Sequence, residues 1–225
     1  MIKLLVFDWD DVFTLGAKEG YIDCLHSTLV TLKIRLDPDE ESRRIQLAWG
    51  KSHQEELKIL LSDHPDLLER AYTIYEDKFF GGEFVEALRY VPGANQTLVE
   101  LAKKYTLAIA TGAHPDLLRK QMIPKFQVPD VFSQIISSYE VDDPAKQKPH
   151  PFILQEIMKT QHYQPAETLF IGDAEADVLM ARRAGVEPVV VLTGNLDQAQ
   201  AKQLKVKYII EDVTHLKNLL DDEVD

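Results

Sequence analysis

Cysteine and positive charge are both scarce in this sequence of 225 residues. The single cysteine, Cys24, excludes an internal disulfide, and this favours a reducing compartment and therefore a cytoplasmic protein. Lys and Arg number 25 against 37 Asp and Glu, which gives a formal net charge of −12. Because an acidic surface repels phosphate backbones, and because no basic cluster stands out, we expect no nucleic acid partner.

Long hydrophobic runs are also missing. No stretch approaches the roughly 18 apolar residues of a membrane-spanning helix. The apolar run at residues 2–7 stops at Asp8 and is too short for a signal peptide. We therefore expect no membrane association. The content of 45% hydrophobic and 28% charged residues is that of a globular protein and excludes a disordered or fibrous chain.

The spacing of apolar residues changes twice along the chain. Residues 2–7 predict a strand buried on both faces, whereas residues 21–80 show helical spacing and predict about four helices in a small bundle. After Pro92 and Gly93, short apolar strands alternate with helices, which predicts a parallel, doubly wound sheet. The predicted later strands are 107–110, 131–137, 168–171, 189–192 and 208–210, and the predicted helices are 97–104, 114–122, 152–159, 174–184 and 213–220.

The first strand belongs with the late strands, so the helical block is an insertion. The sequence thus predicts an α/β fold in which a Rossmann-like, doubly wound parallel sheet core comprises residues 1–15 and 88–225. A small α-helical cap domain comprises residues 16–87. The two crossings between these modules would permit rigid-body opening and closing.

Polar side chains follow several of the predicted strands. Asp8 and Asp10 follow the first strand, and Thr111 follows the strand at 107–110. Asp173 and, one helical turn later, Asp177 follow the strand at 168–171. Lys148 stands in a separate Lys-Pro-His-Pro segment before a predicted helix. Since ligands of doubly wound sheets bind outside the carboxyl ends of the strands, we expect these groups to converge on one edge.

The charges of these groups indicate what such an edge would bind. Two like charges about 4 Å apart repel by roughly 4 kcal/mol at an effective dielectric constant of about 20. Several carboxylates together therefore need protons or a cation, and Mg²⁺ prefers carboxylates combined with substrate phosphate. Lys148 would add further positive charge. The residues alone thus favour a metal ion with an anionic substrate.

Four segments resemble the motifs of the haloacid dehalogenase superfamily, and they occur in the family's order. Residues 8–12 (DWDDV) resemble its Asp-x-Asp-x-Thr/Val signature, and Thr111 after LAIA resembles the second motif. Residues 148–151 (KPHP) and 172–177 (GDAEAD) resemble the third and fourth. The resemblance covers essentially the whole chain and is nearest to the branch of phosphoglycolate phosphatase and β-phosphoglucomutase. Asp11 stands where many members have glycine.

The resemblance implies a role for each aspartate. Asp8 would be the nucleophile that forms an aspartyl-phosphate, and Asp10 would be the general acid and base. The Asp8 carboxylate, the Asp10 backbone carbonyl and Asp173 would bind Mg²⁺. Asp177 would act on the metal through water or from behind its direct ligands.

The resemblance also implies how substrate would be bound. Thr111 and the amide of Gly112 would hydrogen-bond the transferring phosphoryl group, and Lys148 would neutralise charge between that group and Asp8. In the cap, Lys51 and His53 lie at a break between two helices. For these two residues, substrate contact and a solvated helix start fit the sequence equally well.

These observations predict a Mg²⁺-dependent phosphatase that hydrolyses a small organic phosphate monoester through an aspartyl-phosphate. We expect a monomer or a weak homodimer with a small-molecule phosphate ester as its partner. One alternative is a phosphomutase similar to β-phosphoglucomutase, which would use the same aspartates. A catalytically silent phospho-binding scaffold and a phosphorylated receiver-like signalling module are further alternatives.

Overall fold

The computed structural model describes residues 1–48 and 53–221, and these form two compact units. One unit comprises Met1–Gly16 and Arg89–Asp225, and we call it the core unit. The other comprises Ala17–Leu88, and we call it the helical unit. Each division lies one residue later in the chain than the boundaries that the sequence predicts. Lys51 lies outside the described residues.

Six parallel strands form the main sheet of the core unit, in the order β5-β4-β1-β6-β7-β8. Two further strands, β2 and β3, form a short antiparallel pair where the chain leaves the core unit and re-enters it. The strands in the described residues are β1 (Leu4–Phe7), β2 (Thr14–Leu15), β3 (Arg89–Tyr90), β4 (Thr106–Thr111), β5 (Phe132–Ser137), β6 (Thr168–Gly172), β7 (Glu187–Val191) and β8 (Tyr208–Ile210).

The central strands are mostly apolar and are buried along nearly their whole length, because helices cover both faces of the sheet. All four side chains of β1 are buried, and so are all five residues of β6. β1 pairs with β4 on one side and with β6 on the other, both in parallel. This sheet, with its flanking helices, confirms the predicted α/β, Rossmann-like fold class.

Helices make up most of the remaining structure. In the described residues they are α1 (Ala17–Leu32), α2 (Pro38–Ala48), α3 (His53–Leu60), α4 (Leu68–Phe80), α5 (Glu83–Ala87), α6 (Ala94–Leu101), α7 (Ile123–Lys125), α8 (Phe152–Gln161), α9 (Glu175–Arg183), α10 (Gln198–Gln203) and α11 (Leu216–Leu219). None of the helices in this part of the chain combines the length and the apolar character that crossing a bilayer requires.

Several segments differ from the sequence-based prediction. The strands β2 and β3 and the short helix α5 are not predicted, and α6 begins three residues before the predicted helix at 97–104. The predicted helix at 114–122 is a π-helical segment, Leu117–Met122, followed by the single turn of α7. Pro124 lies at this junction and has no N–H with which to continue a regular helix. The predicted helix at 213–220 is a 3₁₀ turn, Val213–His215, followed by α11. α10 was not predicted, since its sequence QAQAKQ buries only Ala201.

The helical unit has a core of its own. α1 packs against α4, and α2 packs against α3. The rings of Tyr21, Phe79 and Phe84 contact one another, with centroids 4.7–5.3 Å apart. Gly20 is required beside this cluster, because a β-carbon there would lie 2.9 Å from Cδ2 of Phe84.

Candidate active site

The carboxyl ends of β1, β4 and β6 meet at one edge of the sheet. Phe7 of β1 pairs with Ile109 of β4 and with Ile171 of β6, so the three strands end almost level. Asp8 continues β1, and its N–H donates to the Ile171 carbonyl at 2.8 Å. Thr111 is the last residue of β4, and Asp173 directly follows β6. The predicted convergence on one edge therefore follows from the strand register.

Lys148 joins two of the predicted aspartates. Its Nζ lies 3.1 Å from Oδ1 of Asp8 and 2.9 Å from Oδ1 of Asp177. The Lys148 side chain is 11% exposed, so both ion pairs are shielded from water. Burial lowers the pKa of the Lys148 amine, but the two carboxylates outweigh this effect and the net pKa is raised. Lys148 therefore stays charged at the edge of the sheet.

Three carboxylates lie together beside Lys148. Asp8, Asp173 and Asp177 each offer one oxygen, and these oxygens lie within 4.8 Å of one another. Burial, followed by repulsion from Asp177 and Asp8, raises the pKa of Asp173 to about 8. Burial also raises the pKa of Asp177, although Lys148 opposes this shift. One lysine thus leaves excess negative charge in the cluster, and oxygen donors so placed fit a hard divalent cation such as Mg²⁺.

Asp177 is fixed by the start of α9. Its Oδ2 accepts hydrogen bonds from the N–H groups of Asp173 and Ala174, at 3.1 and 3.2 Å. Its Oδ1 is left to accept from Lys148. The four-residue spacing in GDAEAD therefore lets Asp177 hold the backbone of the loop that carries Asp173, while it also pairs with Lys148.

The turn after β1 presents Asp10. The N–H groups of Val12 and Phe13 both donate to the Trp9 carbonyl, which closes the turn around Asp10. Asp11 has φ +55°, in the left-handed region where glycine is favoured and where aspartate is among the better tolerated residues. Its Oδ1 accepts a hydrogen bond from the N–H of Gly16 at 3.0 Å. Asp11 can replace glycine here because its short side chain bonds to the local backbone.

Thr111 and Gly112 lie at the end of β4. Thr111 is fully buried, and its Oγ1 accepts a hydrogen bond from the N–H of Ala113 at 3.0 Å. Gly112 is exposed, and a β-carbon at its position would meet no atom within 4 Å. β1 and β4 are neighbouring strands, so both residues lie at the same sheet edge as Asp8. The exposed backbone of Gly112 leaves room for a bound group.

A match to a known protein family identifies the family of this chain. The family described as haloacid dehalogenase-like hydrolase matches residues 5–191, which include all four motifs. The chain belongs to this hydrolase family. This confirms the resemblance that the motifs of the sequence indicate, and it makes the protein an enzyme of the hydrolase class.

Several curated proteins are similar to this haloacid dehalogenase-like hydrolase. A phosphoglycolate phosphatase from Vibrio vulnificus is 24% identical over 192 residues, covering 82% of this chain and 81% of the relative. A glyceraldehyde 3-phosphate phosphatase from Pyrococcus abyssi is 27% identical over 202 residues, covering 84% and 81%. The crystal structure of a HAD-superfamily hydrolase of subfamily IA from Geobacter sulfurreducens shares the fold, with a TM-score of 0.70 and 23% identity over 97% of this chain and 96% of that one.

The loop after β7 of this hydrolase contains residues that the sequence analysis missed. The backbone N–H and the side-chain Nδ2 of Asn195 both donate to Oδ2 of Asp173, each at 2.8 Å. Thr193 donates from Oγ1 to the Asp11 carbonyl at 2.5 Å. The signal was available, since Thr193, Gly194 and Asn195 follow the carboxyl end of a strand that pairs with β6.

The structure describes only one of the two cap residues that were candidates for substrate contact. Lys51 lies outside the described residues. His53 begins α3, and its ring stacks on that of Tyr75, with centroids 5.7 Å apart. Its Nε2 lies 3.9 Å from Oε1 of Glu76. Burial lowers the pKa of His53, although Glu76 opposes this shift. His53 therefore lies against Tyr75 and Glu76 of α4, within the helical unit.

Proposed function

We propose that this hydrolase is a Mg²⁺-dependent phosphatase that acts on a small organic phosphate monoester through an aspartyl-phosphate at Asp8. The observation that carries the proposal is the cluster of Asp8, Asp173 and Asp177, with Lys148 bonded to the first and the third. The excess negative charge of this cluster suits a divalent cation. The charge of that cation and of Lys148 would in turn suit an anionic phosphoryl group.

The proposed reaction begins at the Asp8 carboxylate. One Asp8 oxygen attacks phosphorus, the bond from phosphorus to the ester oxygen breaks, and an acyl phosphate forms on Asp8. Asp10, in the turn two residues later, donates its proton to the departing ester oxygen. The same carboxylate then takes a proton from a water molecule, and this water attacks phosphorus. The bond from phosphorus to the Asp8 oxygen breaks, and inorganic phosphate is released. Asp8 and the protonated Asp10 are thereby regenerated.

The other residues of the site position the phosphoryl group. Lys148, already paired with Asp8, would also stabilise the negative charge on the phosphoryl oxygens as the new bond forms. The Thr111 hydroxyl and the Gly112 N–H would hydrogen-bond these oxygens. Asp8, Asp173, Asp177 and the Asp10 carbonyl are the groups that would hold Mg²⁺. When bound, the ion would neutralise the carboxylates and the charge that builds up on the phosphoryl oxygens.

The class of substrate is inferred from the relatives. The two curated relatives described above are named for phosphoglycolate and glyceraldehyde 3-phosphate, both small phosphate monoesters. We extend this class, but neither particular substrate, to the present protein. We also propose that the helical unit, Ala17–Leu88, selects the substrate, with Lys51 and His53 as its first candidates. A cytoplasmic location belongs to the same proposal.

Phosphate release from an aryl phosphate tests the function. The protein is assayed with Mg²⁺, with EDTA, and as the variant Asp8→Asn, whose amide cannot act as the nucleophile. We expect release that needs Mg²⁺ and is lost in the variant, together with acid-stable phosphate on the wild-type protein after rapid quenching. Normal turnover by a folded Asp8→Asn protein would contradict the role of Asp8.

Failure of the wild-type protein in this assay would contradict the phosphatase proposal. An assay of hexose-phosphate isomerisation would then separate the alternatives. Isomerisation without phosphate release would identify a phosphomutase. No conversion by the folded, Mg²⁺-loaded protein would favour a silent scaffold.

A further inference from the structure

The loop Thr193–Asn195 contacts Asp173 more closely than any sequence motif suggests. Besides the two hydrogen bonds from Asn195 to Oδ2 of Asp173, the N–H of Leu196 donates to the Asp173 carbonyl at 2.9 Å. The backbone at Gly194 is equally close, because a β-carbon there would lie 2.1 Å from the same Oδ2. The carboxylate of Asp173 is thus held in one orientation by a loop more than 20 residues away in sequence.

The same loop reaches the turn that carries Asp10. The hydroxyl of Thr193 donates to the carbonyl of Asp11, the residue next to Asp10. Asp11 is 5% exposed and has φ +55°, so its carbonyl direction is fixed by a tight, buried turn. A hydroxyl that bonds this carbonyl therefore fixes the turn itself. Three consecutive residues after β7 thus hold both the candidate metal carboxylate and the turn that presents the candidate acid.

We propose that Thr193–Asn195 is a positioning strap, in which Asn195 orients Asp173 for a divalent cation and Thr193 orients the turn that presents Asp10. Asn195 and Thr193 are positioning residues and take no part in the bond changes. The inference rests on the proposed phosphatase function, since it assigns the strap to the same metal and acid. Groups that orient a metal ligand from behind typically change metal affinity or activity by about 10- to 100-fold when they are removed.

Separate variants test the two ends of the strap. Asn195→Ala removes the side-chain amide and keeps the backbone N–H bond to Asp173. Its dissociation constant for Mg²⁺, measured by calorimetry without substrate, is expected to rise about 10- to 100-fold, and saturating Mg²⁺ should restore most of its turnover. Asn218→Ala, an exposed asparagine of α11, is the matched control and should bind Mg²⁺ as the wild type does.

Thr193→Val removes the hydroxyl and keeps the shape of the side chain. We expect its kcat at saturating Mg²⁺ to fall by up to about 10²-fold, since a small displacement of a reacting group costs about that much. Its dissociation constant for Mg²⁺ should rise less than that of Asn195→Ala, because the turn offers the ion only the Asp10 carbonyl. Thr193→Ser restores the hydroxyl and should restore kcat, which a general loss of packing would not allow. If Asn195→Ala fails to fold, as judged by circular dichroism, Asn195→Ser provides the same test.

Two results would contradict the proposed positioning roles of Asn195 and Thr193, and both are distinguishable from failure of the proposed function. Wild-type Mg²⁺ binding by folded Asn195→Ala, while Asp173→Asn loses binding, would refute the role of Asn195 and leave the metal site standing. Wild-type kcat in Thr193→Val would refute the role of Thr193. If Asp173→Asn also binds Mg²⁺ normally, the proposed metal site is wrong, and so is the role proposed for Asn195 in orienting Asp173.

Discussion

Asp177 leaves no room for a side chain at position 172, where the chain has a glycine. A β-carbon at position 172 would lie 2.5 Å from Cβ of Asp177 and 2.5 Å from its Oδ2. That oxygen accepts the N–H groups at the start of α9, and the other oxygen of Asp177 pairs with Lys148. The glycine at the end of β6 is therefore what allows the carboxylate of Asp177 to turn back towards the strand and meet Lys148.

Gly172→Ala should weaken both the fold and the site. Overpacking of a buried position costs typically about 1–3 kcal/mol, and here it would push Asp177 away from Lys148. We expect a lower free energy of unfolding in denaturant titration and a lower rate of phosphate release. Gly112→Ala is the matched control for stability, because its β-carbon would meet no atom within 4 Å. Equal free energies of unfolding for the two variants would show that the loop after β6 shifts to accept the added methyl group with no loss of stability.

Part of this site can be predicted from the sequence because apolar runs mark the strands and therefore the residues at the strand ends. Asp8, Thr111 and Asp173 each come at the end of a run of buried residues, and parallel strands end at the same edge. The identity of the strands therefore predicted the place of these side chains. The same reasoning predicted the α/β fold class, because strands and helices alternate visibly after residue 93.

The parts that were not predicted depend on contacts between distant segments. Asn195 bonds Asp173 across 22 residues, and Thr193 bonds Asp11 across 182 residues. No spacing rule within one element could reveal either pair. Asp11 is a different case, since its positive φ explains a residue that departs from the family pattern only once the turn is seen. The π-helical segment at Leu117–Met122 likewise differs from a regular helix in backbone geometry and not in apolar spacing.

Asp10→Asn should slow turnover while leaving the fold intact. An amide cannot donate a proton to the departing oxygen, and general acid–base catalysis is worth about 10²- to 10⁴-fold. The loss should be larger for an alkyl phosphate than for an aryl phosphate, because an alkoxide needs the proton more. Steady-state rates with both substrates check this, with the exposed Asp130→Asn as the matched control. An equal rate in Asp10→Asn and the wild type would remove Asp10 from the mechanism.

Lys148→Met should affect both turnover and the stability of the metal-free protein. Loss of one group that stabilises charge in a transition state costs about 10²- to 10³-fold in kcat. Removing one partner of a buried ion pair costs about 3–5 kcal/mol, because Asp8 and Asp177 are then left without their cation.

Added Mg²⁺ should therefore stabilise Lys148→Met more than it stabilises the wild type, since the ion replaces the missing positive charge. Thermal unfolding with Mg²⁺ and with EDTA measures this difference. Lys159→Met removes a lysine whose side chain is 77% exposed and serves as the control. A Lys148→Met protein as stable and as active as this control would show that the two ion pairs contribute nothing.

The helical unit should have a pH dependence of its own, set by Glu56 on α3. Burial raises the pKa of Glu56 to about 7, well above the value of about 4.3 for an exposed glutamate. The folded state therefore holds this proton more tightly than the unfolded state. It follows that the stability due to the protonated carboxyl is fully present below about pH 4.3 and is lost as the pH rises through about 7.

Glu56→Gln should remove this dependence, because glutamine keeps the shape of the protonated carboxyl and cannot ionise. We expect the variant to unfold at a higher temperature than the wild type at pH 8 and at nearly the same temperature at pH 4, below the pKa of about 4.3 in the unfolded state, as measured by calorimetry. Glu69→Gln, on the exposed side of α4, makes the same change in net charge and should show no such difference between the two pH values. If both variants shift alike, the effect comes from the overall charge of −12 and not from the burial of Glu56.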